Sequence, residues 1–194
     1  MVNDLYLQKA PFSHPHQTEA VPPPIGVKIM NKLTNSVNKS TNFELEHELR
    51  YRLPKSVFVQ LMASPYKPFT IADRVIIRQL WTYNDGVVRS RIRELTDNNG
   101  TVAYSACTKY RLNKDNQLEF EQPILPTEFA QIRSLYSESP LDEKVRLYFL
   151  TKENPNVYFV ADLPTSSDEV VIEIECPKDV KPVIPKWLSE NAIK

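Results

Sequence analysis

The chain has 194 residues with 24 basic and 24 acidic side chains, so its formal net charge is zero. This length suits one domain with a sizeable core, and the neutral balance argues against general attraction to nucleic acid or to an anionic membrane. The two cysteines form neither a disulfide framework nor a CxxC metal pair. Because no leader pattern or membrane-spanning apolar stretch is present, we expect a cytoplasmic protein without a membrane partner.

Residues 1–42 differ in composition from the rest of the chain. They contain the triplet Pro22-Pro23-Pro24 and a polar run over 31–42, with little hydrophobic periodicity. A segment of this kind lacks the apolar side chains that would place it in a core. We therefore predict a flexible N-terminal arm over 1–42, followed by one folded domain over 43–194.

The folded domain opens with a run, 43–52, in which charged residues alternate with mostly apolar ones. Strand side chains point alternately to opposite faces, so one face of this strand carries Glu44, Glu46, Glu48, Arg50 and Arg52. Three neighbouring carboxylates repel one another. We expect a divalent cation, or lysines and arginines on neighbouring strands, to neutralise them.

The later segments predict seven more strands and two helices. The strands are rich in Val, Ile, Tyr and Thr, and several are separated by Asn, Asp and Gly residues that suit tight turns. They are predicted over 74–83, 87–95, 101–112, 117–121, 145–150, 156–162 and 169–175. Helices are predicted over 54–62 and 126–136, each with a proline at its start.

Charges of one sign cluster on these strands, which indicates more than a solvated surface. Basic residues alternate at Arg89, Arg91 and Arg93, and acidic ones at Glu173 and Glu175. A merely soluble surface intersperses its charges. We therefore predict a mainly β, α+β fold, a closed antiparallel barrel of eight strands with charged inner faces and with helices packed outside. Arginine and lysine facing glutamate could hold a polyphosphate together with hard divalent cations.

In chain order, these segments resemble the motifs of the CYTH superfamily, the triphosphate tunnel metalloenzymes. Glu46-His47-Glu48-Leu49-Arg50 resembles the family's ExExK strand, with arginine in place of lysine. Seven further resemblances follow in the family's order, at 77–81, 88–93, 108–109, 119–121, 144–148, 162 and 173–188. The chain is thereby similar to inorganic triphosphatases, RNA triphosphatases and class IV adenylate cyclases over 43–188.

The resemblance implies a tunnel open at both ends and a triphosphatase that depends on Mg²⁺ or Mn²⁺. By position, the implied catalytic residues are Glu46, Glu48 and Glu175. The implied metal-binding residues are these three with Glu44, Asp162 and Glu173. The implied phosphate-binding residues are Arg50, Arg89, Arg91, Lys109, Lys144 and Arg146. Arginine at position 50 cannot exchange a proton near neutral pH as a perturbed lysine can, so an acid–base role is not expected there.

Three functional hypotheses follow. The first is hydrolysis of inorganic triphosphate, a nucleoside triphosphate or an RNA 5′ end. The second is cyclisation of ATP, which would need a pocket for the base and ribose at one end of the tunnel. Trp81, Tyr83 and Tyr104 could stack on a base there, although strand aromatics more often serve in packing. The third is a binding module without turnover. The acidic strands disfavour it, because carboxylates weaken a site meant only for anions.

Overall fold

The computed structural model describes residues 44–113, 116–155, 157–175 and 181–193, and the side chains of residues 44–47 and 175 lie outside this description. The predicted arm over 1–42 also lies outside the described residues. Eight strands are present: β1 (Glu44–Pro54), β2 (Phe69–Asn84), β3 (Val88–Asp97), β4 (Val102–Arg111), β5 (Asn116–Pro123), β6 (Asp142–Thr151), β7 (Phe159–Pro164) and β8 (Glu169–Glu175). Three helices accompany them: α1 (Lys55–Ala63), α2 (Pro126–Leu135) and α3 (Lys186–Asn191).

All strand pairs are antiparallel, in the order β1-β5-β4-β3-β2-β6-β7-β8, and β1 also pairs with β8. The prediction of a mainly β fold with eight antiparallel strands is therefore confirmed. The evenly closed barrel that we expected is interrupted at β1. Residues 44–47 pair with β5 and residues 48–54 pair with β8, so no residue of β1 is paired on both sides. The reason is that β5 begins at Asn116, opposite His47, and leaves the later residues of β1 without a partner on that side. The result is a sheet curled into a tunnel-like shape.

The hairpins and two of the helices follow the sequence prediction. Gly86 and Gly100 adopt φ angles of 88° and 79°, the conformation that glycine tolerates best. Helices α1 and α2 lie within a residue of their predicted bounds. The short helix α3 was not predicted, and β2 begins at Phe69, five residues earlier than the predicted start at 74.

Helices cover the apolar outer face of the sheet. Phe58 of α1 and Trp187 of α3 contact the strand residues Phe69 and Phe149, with ring centroids 5.5–6.3 Å apart. On another side, Phe129 of α2 packs on Tyr104 at 4.9 Å. Because these outward side chains are buried beneath helices, the opposite face of the same strands is left to line the interior.

A separate apolar cluster fills one end of that interior. Val75 and Ile77 pair with Arg146 and Lys144 across β2 and β6, which places them on the inner face. Each member of the cluster is at most 7% exposed: Val75, Ile77, Leu95, Ala103, Tyr148, Tyr158 and Val160. We call these residues the apolar half. The tunnel open at both ends that the family resemblance implies is therefore filled at this end.

Candidate functional site

The other end of the interior is lined with charge. Strand register brings the charged positions together, because Arg89 lies opposite Lys109 and Lys109 lies opposite Glu119 on three adjacent strands. Ten charged side chains surround one space: Arg50, Arg89, Arg91, Arg93, Lys109, Glu119, Glu121, Lys144, Arg146 and Glu173. We call these residues the charged half. The space measures about 520 Å³, including solvent at its opening.

A buried ion-pair network on β6 and β7 anchors one wall of this space. The guanidinium of Arg146 donates to both carboxylate oxygens of Asp162, at 2.6 and 2.7 Å, and Lys144 donates to the same carboxylate. Burial alone would raise the pKa of Asp162, but the two cations hold it well below its usual range. Burial and the charge of Arg146 lower the pKa of Lys144 to about 8. Asp162 thus fixes both cations in place.

Two carboxylates, Glu119 and Glu121, organise the wall formed by β4 and β5. Glu121 accepts hydrogen bonds from Arg93 at 3.0 Å and from the hydroxyl of Ser105 at 2.8 Å. Glu119 forms an ion pair with Lys109 at 3.2 Å and accepts from the thiol of Cys107 at 2.9 Å. Burial raises the pKa of the Cys107 thiol far above its ordinary value, so this thiol stays protonated and cannot act as a nucleophile.

Two cations in the cavity lack a carboxylate partner among the described residues. Arg89 donates to the side-chain oxygen of Gln117 at 3.0 Å, and Arg91 lies over the ring of Trp81 with 5.1 Å to the ring centroid. The Nε atoms of both arginines are buried without a hydrogen-bond partner. Burial, followed by the charges of Arg111 and Arg50, lowers the pKa of Arg89. Such unneutralised, partly desolvated guanidinium groups bind anions strongly.

Glu48 and Glu173 form a carboxyl pair on adjacent strands. The Nη2 atom of Arg50 donates to Glu48 at 2.7 Å and to Glu173 at 2.8 Å, and so bridges the two. Burial and the negative charge of Glu173 raise the pKa of Glu48 to about 7. Burial opposes ionisation of Glu173 as well, but Arg146 lowers the pKa of that carboxyl. The pair therefore carries less than its full negative charge near neutral pH unless another cation joins it.

The predicted metal set is only partly within the described structure. Within the described ranges, no group of three or more His, Cys, Asp or Glu side chains is arranged to hold a metal ion. The side chains of Glu44, Glu46 and Glu175 are outside the description, although the backbone register places Glu175 opposite Glu48. Their roles as ligands and catalytic groups stay predictions.

The cavity contains all six residues that the sequence predicted to bind phosphate, and their function stays a prediction. Sequence reasoning assigned no role to three other residues that line it: Arg93, Glu119 and Glu121. Their position could have been read from the same alternation. Arg93 follows Arg91 by two residues, and Glu119 and Glu121 are likewise two residues apart, so each shares a strand face with its neighbour.

The aromatic residues considered for base stacking are engaged in other contacts. Tyr104 packs under α2 on the outer face. Trp81 carries Arg91 on its ring and donates its indole N–H to Asp142 at 2.9 Å. Tyr83 is 54% exposed, and its hydroxyl donates to Asp85 at 3.1 Å. Tyr104 and Trp81 therefore serve in packing and hydrogen bonding, as strand aromatics more often do than stack on a base.

Comparison with known proteins gives similarity of structure without similarity of sequence. No protein-family model matches the chain, and no curated protein sequence matches it significantly. PH1819 from Pyrococcus horikoshii OT3 matches with a TM-score of 0.53 and 14% identity, over 69% of this chain and 79% of that chain. HpAC1 from Hippeastrum, an adenylyl cyclase candidate with a dominant triphosphatase activity, matches with a TM-score of 0.51 and 18% identity, over 69% and 80%.

The inorganic triphosphatase NE1496 is also similar, with a TM-score of 0.40 and 18% identity over 77% of this chain and 85% of that chain. Identities this low show a shared fold and nothing finer. The fold of the first two structures is consistent with the CYTH-like architecture expected from the sequence.

Among the described residues, no helix has both the length and the apolar character needed to cross a bilayer.

Proposed function

We propose that this chain is a CYTH-type triphosphatase that depends on a divalent metal and releases the terminal phosphate of a triphosphate. The observation that carries the proposal is the composition of the charged half, where seven basic and three acidic side chains face one enclosed space. A linear triphosphate supplies several negative charges in a row. Few other small substrates would match so many cations spread over several strands.

Arg89 and Arg91 supply positive charge that has no carboxylate partner among the described residues. Each has a buried Nε atom without a hydrogen-bond partner, so a phosphate oxygen would satisfy a donor that is otherwise unpaired. Charge-assisted hydrogen bonds of this kind are stronger than neutral ones, and the guanidinium fork suits phosphate. These two residues would therefore contribute most of the binding selectivity for phosphate.

The remaining cations are held in place before a substrate arrives. Asp162 fixes Arg146 and Lys144, and Glu121 fixes Arg93. Because the carboxylates hold these side chains, little reorganisation is needed when negative charge develops on the transferring phosphoryl group. Lys144, with a pKa of about 8, is largely protonated at neutral pH and keeps its positive charge there.

The carboxyl pair fits the chemistry of a hard divalent cation. Glu48 and Glu173 offer oxygen donors on adjacent strands. Burial and the negative charge of Glu173 raise the pKa of Glu48, so a bound cation would favour its ionised form. Mg²⁺ and Mn²⁺ prefer such oxygen ligands. When bound, the ion would neutralise phosphate charge and favour attack by water on the terminal phosphorus. The products would be orthophosphate and the shortened substrate.

The test is an assay of phosphate release from purified protein with Mg²⁺ or Mn²⁺. The substrates are inorganic triphosphate, ATP, triphosphate-ended RNA and a simple phosphate monoester. We expect release from at least one triphosphate, none from the monoester, and complete loss in excess chelator. Cyclic nucleotide and diphosphate formed from ATP would indicate cyclisation instead. Binding without any product would indicate the non-catalytic module.

Glu48→Gln sharpens the assay because it keeps side-chain size and removes one negative ligand. We expect it to abolish turnover. Glu94→Gln is the matched control, since Glu94 lies on the outer face in contact with Arg78 and should leave turnover unchanged. Equal rates for Glu48→Gln and the wild type at saturating metal would refute the assignment.

A further inference from the structure

Along β3 and β4 the charged half ends at the buried apolar half. Along β3 the inward positions run from Arg89 through Arg91 and Arg93 to Leu95, and Leu95 belongs to the buried apolar half. Along β4 they run in register from Lys109 to Ala103, which is also buried. On both strands the inward residues therefore change from charged to buried apolar ones. A phosphate chain too long for the charged half would extend toward the Arg89 end.

A second space lies at the Arg89 end, and we call it the mouth. Its residues are Glu48, Arg50, Arg89, Arg111, Asn113, Asn116 and Gln117. Arg50 and Arg89 line both the mouth and the charged half, so the two spaces are continuous. Arg111 sits beyond Lys109 on the same face of β4, opposite Gln117. The mouth is thus the next position outward on the path of a bound chain.

Two of the three arginines of the mouth, Arg89 and Arg111, form no ion pair with a described residue, whereas Arg50 pairs with Glu48 and Glu173. Arg111 is exposed and has no ion pair within the described part of the chain. Arg111 lines one space with Arg50 and Arg89, and after the effect of burial its charge and that of Arg50 lower the pKa of Arg89. Arg89 and Arg111 are thus like charges that line one space, which favours binding of an anion between them.

The chemistry of the mouth favours phosphate over a nucleoside. Its seven lining residues, all within the described ranges, include no aromatic side chain on which a base could stack. They offer three guanidinium groups, three amide groups and the carboxyl of Glu48, which is paired with Arg50. Asn113 accepts hydrogen bonds from the backbone and side chain of Asn116, at 3.0 and 2.9 Å, so these two amides are held together.

We propose that the mouth is a further phosphate subsite, centred on Arg111, that binds the fourth phosphate of a linear inorganic polyphosphate whose first three occupy the charged half. This proposal rests on the proposed function. It predicts that the chain binds longer phosphate chains more tightly than triphosphate, and that Arg111 provides the difference.

Titration calorimetry of the full chain with triphosphate and tetraphosphate tests the subsite, first in chelator and then with Ca²⁺. We expect the wild type to bind tetraphosphate about tenfold more tightly than triphosphate, the size of one charge-assisted contact. Arg111→Gln should weaken tetraphosphate binding about tenfold and triphosphate binding less than threefold. The control is Arg74→Gln, which removes an exposed charge from the outer face of β2 and should alter neither affinity.

The outcomes separate the subsite from the triphosphatase proposal. Tight binding and hydrolysis of triphosphate, with no preference for tetraphosphate, would overturn the subsite alone. So would a loss in Arg111→Gln that is equal for both ligands, since that would reflect only the general charge of the mouth. Failure of the wild type to bind either ligand would overturn both proposals.

Discussion

The charged half and the apolar half lie on the same inner faces of the same strands, yet they are stabilised in opposite ways. On β6 the inward side chains change from Lys144 and Arg146 to Tyr148, and on β7 from Asp162 to Val160. The apolar half gains stability from burial itself. Burial destabilises the charged half, because each ion loses its hydration there and needs an ion pair or hydrogen bonds to offset that loss.

The difference indicates which half was shaped by function. A sheet of this kind could bury apolar residues along its whole inner face, as it does at one end. Replacing a buried ion pair by apolar residues of similar size is often neutral or stabilising. Retaining ten charged side chains around one space therefore points to a ligand that supplies the missing counter-charges.

The largest effect is expected where a buried charge loses its partner. Arg146→Ala should lower the free energy of unfolding by about 3–5 kcal/mol, because it removes both hydrogen bonds to Asp162 and leaves that carboxylate underpaired. Arg52→Ala is the control, since its pair with Glu169 spans 3.7 Å and its side chain is 63% exposed. That change should cost about 0–1 kcal/mol. Urea denaturation of both variants measures the comparison, and equal losses would contradict it.

A smaller change, this time a gain in the free energy of unfolding, is expected when Glu48 is replaced. Its pKa is raised from 4.5 to about 7, so the folded state favours the protonated carboxyl, and the associated stability is present below pH 4.5 and lost as pH rises to 7. Glu48→Gln cannot ionise, so the variant does not lose this stability as the pH rises. In metal-free buffer the variant should be about 2–3 kcal/mol more stable than wild type at pH 8, with little gain at pH 4.5. A gain that does not change with pH would show that charge repulsion is not its cause.

Much of this arrangement could be predicted from alternation alone. Arg89 and Arg91 were placed on an inner face because strand side chains alternate, and all six predicted phosphate-binding residues meet in one cavity. Periodicity also located α1 and α2, since each begins at or just after a proline with an apolar stripe behind it.

Other features depend on contacts that a single sequence does not display. The apolar half arises because inward residues of five strands pack against one another across the interior, which depends on the curling of the sheet rather than on any local pattern. The junction at β1 likewise depends on where β5 begins relative to His47. The pairing of Asp162 with Arg146 joins residues 16 apart in sequence, and a predicted metal ligand proves to hold two cations.

Calorimetric titration of triphosphate into one variant from each half tests the central claim most directly. Arg91→Ala removes an unneutralised guanidinium from the charged half, while Ile77→Val removes one methylene from the apolar half. We predict that Arg91→Ala weakens triphosphate binding about 10- to 100-fold with little change in stability. Ile77→Val should cost about 0.5–1.5 kcal/mol of stability and leave binding unchanged. Wild-type affinity in Arg91→Ala, or equal losses of affinity in both variants, would contradict the account.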